Sequence, residues 1–257
     1  MSTLAGPGPV PDPGTDPDSD PGTGTDADAG TGADLDGLRE ALEADLHPLY
    51  AGWLTTVLPD RSLHLGSRAV DLGCGTGRFA DLLLDRYQYV LGVDTDQRAV
   101  TRARARHGRP RLRFEQRDLR DVATEIDGQW DLVLAVDTLG RLPDDDTILP
   151  HLHTLLAPGA DLLICDTVDP GGWDSLDWHV SQAFADAEDS YRHRTRELRT
   201  ALDILRLRLH PGWLRHLTTT APPTREQFYR RWAAAFPGAT FTELRPTTLA
   251  LHWRSPG

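Results

Sequence analysis

A glycine-rich loop with an acid before it carries the clearest chemical signal in the sequence. The stretch Asp71-Leu72-Gly73-Cys74-Gly75-Thr76-Gly77 follows an apolar run that predicts a β-strand. Glycines allow positive φ angles and a close approach of the backbone to a ligand, and N–H groups at a helix start point at polar ligands. A carboxylate at Asp71 would repel a pyrophosphate but attract an ammonium or sulfonium cation. We therefore expect this loop to bind a ligand that has an adenosine and a polar tail.

The spacing of the glycines separates this loop from a dinucleotide-binding loop. A dinucleotide-binding loop has the pattern Gly-x-Gly-x-x-Gly, in which the third glycine lies three positions after the second. Gly77 follows Gly75 by two positions. A NAD(P)-dependent reductase is therefore a poor alternative.

Three further acids follow predicted strands. Asp94 could accept hydrogen bonds from both hydroxyls of a ribose, although NAD enzymes place an acid at the same point. Asp118 could accept from an adenine amino group while Leu119 packs on the ring, and Asp121 is a neighbouring alternative. Asp137 follows the fourth strand. Each acid could instead cap a turn or a helix, but the carboxyl ends of parallel strands would bring them to one edge of a sheet.

The elements that must position these acids alternate between strands and helices. Strands are predicted at 68–72, 89–93, 112–115, 130–136 and 161–165, and a hairpin at 240–244 and 248–253; helices are predicted at 79–85, 95–107, 147–156, 198–209 and 225–235. Before them, one helix begins at Leu35 with Asp34 as its N-cap, and a second, short one ends before Pro59. Pro211-Gly212 should end the helix before it, and Thr224 should cap the last one. The alternation predicts a doubly wound α/β fold with a mostly parallel sheet.

In their order and spacing these motifs resemble the class I S-adenosylmethionine-dependent methyltransferases. Asp71 to Gly77 resembles the first motif of that family, and Leu156 to Gly159 resembles its Leu-Lys-Pro-Gly-Gly turn, with Ala157 and Ala160 as departures. The resemblance covers residues 68–168 well and residues 224–254 loosely. It implies a Rossmann-like sheet of seven strands with a terminal antiparallel hairpin and a helical cap inserted at 170–220. It also implies the cofactor S-adenosyl-L-methionine, held by Asp71, Gly73, Cys74, Gly75, Gly77, Asp94, Thr95, Asp118, Leu119 and Asp137.

Methyl transfer requires alignment of the reactants more than a catalytic group, because the cofactor supplies the leaving group. A general base is needed only where the acceptor enters protonated. His179 is the preferred candidate, because it lies in an aromatic and acidic segment that would overlie the cofactor. Tyr191 and His193 are weaker candidates, and His151 and His153 weaker still. Each of these side chains could instead be packed or solvated.

Composition limits the range of partners. The chain has 257 residues and a net charge of −12. Seven of its acids lie in residues 1–34, a Pro-, Gly- and Asp-rich segment that we expect to be a disordered acidic tail. Residues 35–257 form the predicted domain, and its mildly acidic charge gives no reason to expect nucleic acid or membrane partners. The arginines of 191–216 could bind an acidic acceptor or nucleic acid, but acids lie among them, so a solvated helix face is expected instead. Two cysteines form no disulfide framework or metal site, no signal peptide is apparent, and a cytoplasmic location is expected.

The sequence leaves three functions open. The first is a methyltransferase that acts on a small-molecule acceptor, for which a homodimer is one assembly to consider. The second is an RNA- or protein-modifying methyltransferase, against which stands Asp137-Thr138-Leu139-Gly140 in place of an Asn/Asp-Pro-Pro-Tyr motif. The third is a non-catalytic binding protein on the same scaffold. The sequence does not identify the acceptor.

Overall fold

The computed structural model describes the backbone of residues 26–61, 63–142, 147–219 and 221–257, and the side chains within those ranges except for 26–34 and 141. The chain divides into two units. Of the first, Met1–Gly37, the structure describes helical backbone from Asp26, and the second, Leu38–Gly257, contains the sheet. The predicted tail at 1–34 therefore lies mostly outside the described residues and stays a prediction.

The described elements follow the predicted alternation. The strands are β1 Arg68–Leu72, β2 Tyr89–Asp94, β3 Leu112–Gln116, β4 Trp130–Val136, β5 Leu156–Thr167, β6 Thr240–Arg245 and β7 Thr248–Arg254. The helices are α1 Asp26–Val57, α2 Ala80–Leu84, α3 Gln97–Arg106, α4 Thr124–Asp127, α5 Ile148–Leu155, α6 Leu176–His193, α7 Leu198–Leu209, α8 Pro211–Thr219 and α9 Arg225–Ala235.

One sheet of seven strands organises the fold, in the order β3-β2-β1-β4-β5-β7-β6. The first five strands are parallel, and β7 is antiparallel to both β5 and β6. The predicted α/β fold with a terminal antiparallel hairpin is confirmed. Strand order reverses between β1 and β4, and ligands bind in such sheets at the carboxyl ends of the strands beside that reversal.

The central strands are apolar because both of their faces are covered. Every residue of β4 except Asp131 is buried, and Trp130 is fully so. Helices on both faces of a parallel sheet remove the solvated side that would otherwise require alternating polar residues. The sheet is thus a rigid platform for the loops that follow its strands.

One local prediction about helices was wrong, and some helices were missed. A single helix, α1, begins at Asp26 and continues through Pro48, so Asp34 is not its N-cap. α7 ends before Pro211 as predicted, but α8, which begins at Pro211, was missed; proline fits the first position of a helix, where its missing N–H is not needed. The long helix α6 was not delimited from the sequence, because its apolar residues are interleaved with acids.

The start of α9 agrees with its sequence signal. Thr224 and Gln227 form a reciprocal capping box, in which the Thr224 hydroxyl accepts from the Gln227 N–H at 3.2 Å. None of the helices that the structure describes combines the length and the hydropathy that a membrane crossing requires.

Candidate functional site

The glycine loop lies directly after β1 and has a backbone that only glycine adopts easily. Gly73, Gly75 and Gly77 have φ angles of +77°, +52° and +78°. A methyl group on Gly73 would collide with the Thr138 side chain, whereas one on Gly75 would meet nothing within 4 Å. Gly75 is therefore required by the positive φ of the turn and not by lack of space, and its outer side is open to a ligand.

Hydrogen bonds that the loop donates to residues of β2 hold it in place. The N–H groups of Gly73 and Cys74 both donate to the Val93 carbonyl, at 2.8 and 3.0 Å. The Gly75 N–H donates to Oδ2 of Asp94 at 2.8 Å, and the Asp96 N–H donates to its Oδ1 at 2.9 Å. The predicted ribose-binding carboxylate thus also fixes the loop, and each of its oxygens keeps a lone pair for a further donor.

Asp71 is buried beneath the loop. Burial raises the pKa of its carboxyl to about 7, an effect that Arg78 opposes and the neighbouring Asp94 reinforces. The carboxylate is therefore close to half ionised near neutral pH. A cationic ligand group beside it would favour the ionised form, as the sequence predicts for an ammonium or sulfonium.

The remaining predicted cofactor residues surround this loop in different ways. Asp118 follows β3 and caps a short 3-10 turn, where its Oδ1 accepts from the Arg120 N–H at 2.9 Å, and Arg120 also pairs with its other oxygen. Leu119 is buried and Thr95 is exposed. Burial raises the pKa of the Cys74 thiol, which stays neutral. The structure brings these residues to the carboxyl ends of β1, β2 and β3, and their contact with a cofactor stays a prediction.

Asp137 lies at the end of β4 with a φ of 54°, an uncommon value for a residue other than glycine. Its Oδ2 accepts from the Tyr50 hydroxyl at 3.1 Å and lies 3.7 Å from Nη2 of Arg78. Tyr50 is only 1% exposed, and burial, followed by the charge of Asp137, raises its pKa well above the ordinary value. Tyr50 is therefore a neutral donor that fixes one side of the carboxylate.

Tyr50 was not among the predicted site residues. It lies on α1, far from the motifs in the chain, and a tyrosine on a helix more often packs in the core. Its neighbours give no further sequence signal.

A cavity of about 180 Å³ extends from Asp137 under the helical segment after β5. Its walls come from α1, the exits of β4 and β5, α6, α7, α8 and the terminal hairpin. Besides Tyr50 and Asp137, they include Leu42, Leu46, Gly140, Asp166, Trp173, Trp178, His179, Gln182, Asp186, Arg208, Trp213, His216, Leu217, Pro222, Arg245, Thr247 and Thr248. The segment predicted as a helical cap therefore closes one side of a cavity beside Asp137.

His179, the predicted base, lies in the wall of this cavity. Its ring is buried, and Nε2 lies 2.7 Å from the Trp173 carbonyl oxygen. A carbonyl oxygen can only accept, so Nε2 carries the proton and Nδ1 is the ring nitrogen that can accept one. Trp173 and Trp178 lie edge-on to the ring at 5.2 and 5.0 Å, which fixes its orientation.

The other candidate bases do not line the cavity. His151 and His153 contact the carbonyl oxygens of Leu119 and Ala235 from α5, and Tyr191 and His193 are exposed. These contacts favour structural roles for the two α5 histidines.

Two arginines of the segment 191–216 depart from the expected solvated face. Arg194 donates to the buried Asp45 at 2.6 Å, and Arg208 lies 2.6 Å from Asp186. Arg192 and Arg206 are exposed, as expected. The prediction of a solvated face was thus wrong for Arg194, the residue that follows α6, and for Arg208 of α7.

Comparisons with known proteins agree with this geometry. Residues 69–159 match the methyltransferase domain family. Trans-aconitate 2-methyltransferase of Variovorax paradoxus (strain S110) is 39% identical over 98 residues, which cover 38% of this chain and 38% of that protein. Ubiquinone biosynthesis O-methyltransferase of Pseudomonas aeruginosa (strain LESB58) is 26% identical over 122 residues, or 47% and 51% of the two chains. The matched stretch thus spans about half or less of these curated relatives.

Solved structures show the same fold over most of the chain. An S-adenosylmethionine-dependent methyltransferase from Mesorhizobium loti is 20% identical, with a TM-score of 0.52, over 79% of this chain and 97% of that one. The plantazolicin methyltransferase, in complex with a substrate analogue and S-adenosylhomocysteine, is 12% identical, with a TM-score of 0.57, over 90% and 93%.

Residues 69–159 thus form a methyltransferase domain of the class I S-adenosylmethionine-dependent type. The family match ends at Gly159, before most of the residues that line the cavity. The cofactor half therefore follows the family pattern, whereas the acceptor half lies outside the residues matched by the family.

Proposed function

We propose that the chain transfers the methyl group of S-adenosylmethionine to a small-molecule acceptor bound in the cavity beside Asp137. One observation carries the proposal: the exit of β4, next to the glycine loop, opens into a cavity of about 180 Å³ that is lined by tryptophans and by polar and charged side chains. Small-molecule sites combine aromatic walls with polar groups that orient the ligand.

The residues around the glycine loop fit the cofactor that the fold family implies. Asp94 would bind the ribose, Asp71 the cationic part of the methionine moiety, and Asp118 with Leu119 the adenine. The open side of Gly75 allows the backbone to approach that ligand. When bound, S-adenosylmethionine supplies an electrophilic methyl group, so the protein has to align the acceptor and exclude water.

On the acceptor side, the proposed base is His179. The hydrogen bond from Nε2 to the Trp173 carbonyl leaves Nδ1 to take a proton from a hydroxyl or amine acceptor. Asp137 lies between the cofactor loop and the acceptor cavity, and the Tyr50 hydroxyl fixes the position of its carboxylate.

The curated relatives support a small acceptor. Their names describe methylation of trans-aconitate and O-methylation in ubiquinone biosynthesis. The matched stretch lies in the cofactor half, so it supports the reaction class. The identity of the acceptor has to be inferred from the residues that line the cavity. The cytoplasmic location and the homodimer considered from the sequence stay predictions.

Binding of the cofactor product tests the first half of the proposal. Isothermal titration with S-adenosylhomocysteine should show binding to the wild type and at least tenfold weaker binding to Asp94→Asn, which keeps the size of the side chain but removes its charge. Asp85→Asn, at the exposed C-terminus of α2, is the matched control and should bind as the wild type does. Absence of binding by the wild type would overturn the proposed function.

Turnover tests the second half. The wild type is incubated with isotope-labelled S-adenosylmethionine and a metabolite extract of the source organism, and labelled products are identified by mass spectrometry. A labelled small molecule that is absent with Asp94→Asn supports the proposal, whereas label only in protein or RNA supports the alternative of a macromolecule-modifying enzyme.

A further inference from the structure

An ion cluster lies in the wall of the acceptor cavity, built from three elements that are distant in sequence. Asp186 of α6 lies between Arg208 of α7 and Arg245 at the end of β6. Its two oxygens are 2.6 Å from Nη2 of Arg208 and 2.7 Å from Nη2 of Arg245. The three side chains are 9%, 17% and 13% exposed. Burial favours the neutral acid, but the two arginines outweigh it and hold the pKa of Asp186 below its ordinary value.

The cluster has one positive charge more than it has negative charges, because two guanidinium groups share a single carboxylate. The contact of Arg208 with Asp186 is a close ion pair whose angles fall outside those of a hydrogen bond. The Nε of Arg208 is buried without an acceptor, and so is Nε1 of Trp213, which lines the same cavity; Oδ2 of Asp186 likewise lacks a hydrogen-bond donor. Arg245 differs, since its Nε donates to the Thr247 hydroxyl at 3.0 Å.

Buried donors without acceptors are costly, so these two N–H groups point to a ligand that accepts hydrogen bonds. The two other acids of the cavity wall already have donors from the protein. Asp137 accepts from Tyr50 and pairs with Arg78, and Asp166 accepts from the Gly140 N–H at 3.0 Å. A ligand with a negative charge would therefore be bound at Arg208.

The remaining walls favour a flat ligand. Trp173, Trp178 and Trp213 all line the cavity. Trp173 is fixed by its own hydrogen bond to the Leu217 carbonyl at 3.0 Å, and its ring lies 5.4 Å from that of Trp178. Rigid aromatic faces of this kind bury planar groups well.

We propose that the methyl acceptor is a planar carboxylate, aromatic or conjugated, whose carboxylate is bound by Arg208 and whose flat part packs against the tryptophans. This inference rests on the proposed function, because it assigns the substrate class of the same site. Carboxylates are acceptors only and form strong charge-assisted hydrogen bonds with arginine.

Matched probes test the inference without any substitution. Isothermal titration in saturating S-adenosylhomocysteine compares three planar carboxylates (trans-cinnamate, 4-hydroxybenzoate and anthranilate) with the amide of each and with cinnamylamine. At least one carboxylate should bind, and its amide should bind about 10- to 100-fold more weakly, as expected for the loss of a charged hydrogen bond. Equal binding of the amide, tighter binding of the amine, or no binding of any carboxylate would overturn the inference.

Variants then locate the contact. Arg208→Gln should weaken binding of the carboxylate about 10- to 100-fold and leave that of the amide and of S-adenosylhomocysteine unchanged. Asp186 keeps Arg245 in that variant, so no buried acid is left unpaired. Arg206→Gln is the control, since Arg206 is 62% exposed on the same helix and should change nothing.

A further variant separates binding from a structural role of the cluster. Asp186→Asn removes the internal carboxylate that competes for the arginines, so the carboxylate probe should bind several-fold more tightly. If Asp186→Asn has the same thermal unfolding temperature as the wild type but binds the carboxylate probe more weakly, the inference is contradicted. Failure of S-adenosylhomocysteine to bind the wild type would instead overturn the proposed function, which keeps the two outcomes distinct.

Discussion

Asp71 provides a test that combines stability and cofactor binding. Its pKa is raised from 3.8 to about 7, chiefly by burial. A carboxyl with a raised pKa in the folded state stabilises the fold only while the folded state holds the extra proton. That contribution is complete below pH 3.8 and is lost as the pH rises through about 7.

The magnitude follows from the shift. One pKa unit corresponds to about 1.4 kcal/mol, so the wild type should lose about 2.7 kcal/mol of unfolding free energy between pH 5 and pH 8 relative to Asp71→Asn. The neutral asparagine does not titrate, and the difference between the two proteins isolates Asp71 from the other acids. Above pH 7 the wild type should therefore have lost nearly all of this contribution relative to the variant.

Urea denaturation of the two proteins at several pH values measures this difference. Asp85→Asn, which replaces an exposed acid, should show a constant difference from the wild type. A stability difference for Asp71→Asn that does not change between pH 5 and pH 8 would refute the reasoning.

Cofactor binding should depend on pH in the opposite sense. A cation binds the ionised carboxylate, so binding of S-adenosylhomocysteine to the wild type should weaken by about tenfold for each pH unit below 7. Asp71→Asn should bind weakly at all pH values and show a flatter profile. Parallel profiles for the two proteins would show that Asp71 does not contact the cationic group.

Two further predictions concern stability. Gly73→Ala should destabilise the protein by several kcal/mol more than Gly75→Ala. Both glycines have positive φ angles, but only at Gly73 would the added methyl group collide with a neighbour. Thermal or urea unfolding of both variants measures the difference, and equal losses of stability would contradict the prediction. Arg194→Gln should cost about 3 kcal/mol, because Asp45 is 0% exposed and would lose its cation, whereas Arg192→Gln on the exposed face should cost less than about 0.5 kcal/mol in the same assay.

Much of the fold could be predicted from the sequence where local signals are strong. The bounds of β1, β4, α7 and α9 agree with the predicted ones. Apolar runs with glycine turns define parallel strands, and leucines at spacings of three and four define α7. The capping box at Thr224 fixes the start of α9 because it involves only neighbouring residues.

The elements that were wrong or missed depend on contacts distant in sequence. Pro48 lies within α1 and Pro211 begins α8, although proline alone suggests a break. α6 has buried residues of mixed polarity, such as His179 and Asp186, which produce no clear apolar period. Their burial is set by the helices and the hairpin that pack against them.

The same distinction holds for the site. The glycine spacing and the acids after the strands indicated the methyl donor, because parallel topology brings the ends of successive strands together. The participation of Tyr50 and the sharing of Asp186 by two arginines could not be predicted, since each contact joins elements that no local pattern relates.

The glycine loop at 71–77 was thus determined by the sequence itself. Positive φ angles, a preceding acid and a strand-to-helix turn are local properties of a short stretch, and they are sufficient to recognise a cofactor loop. The acceptor cavity was decided only by the tertiary structure. Its chemistry comes from Asp137, Asp186 and Arg208, which lie on separate elements, and their charges act together only because the fold buries them where water does not screen them.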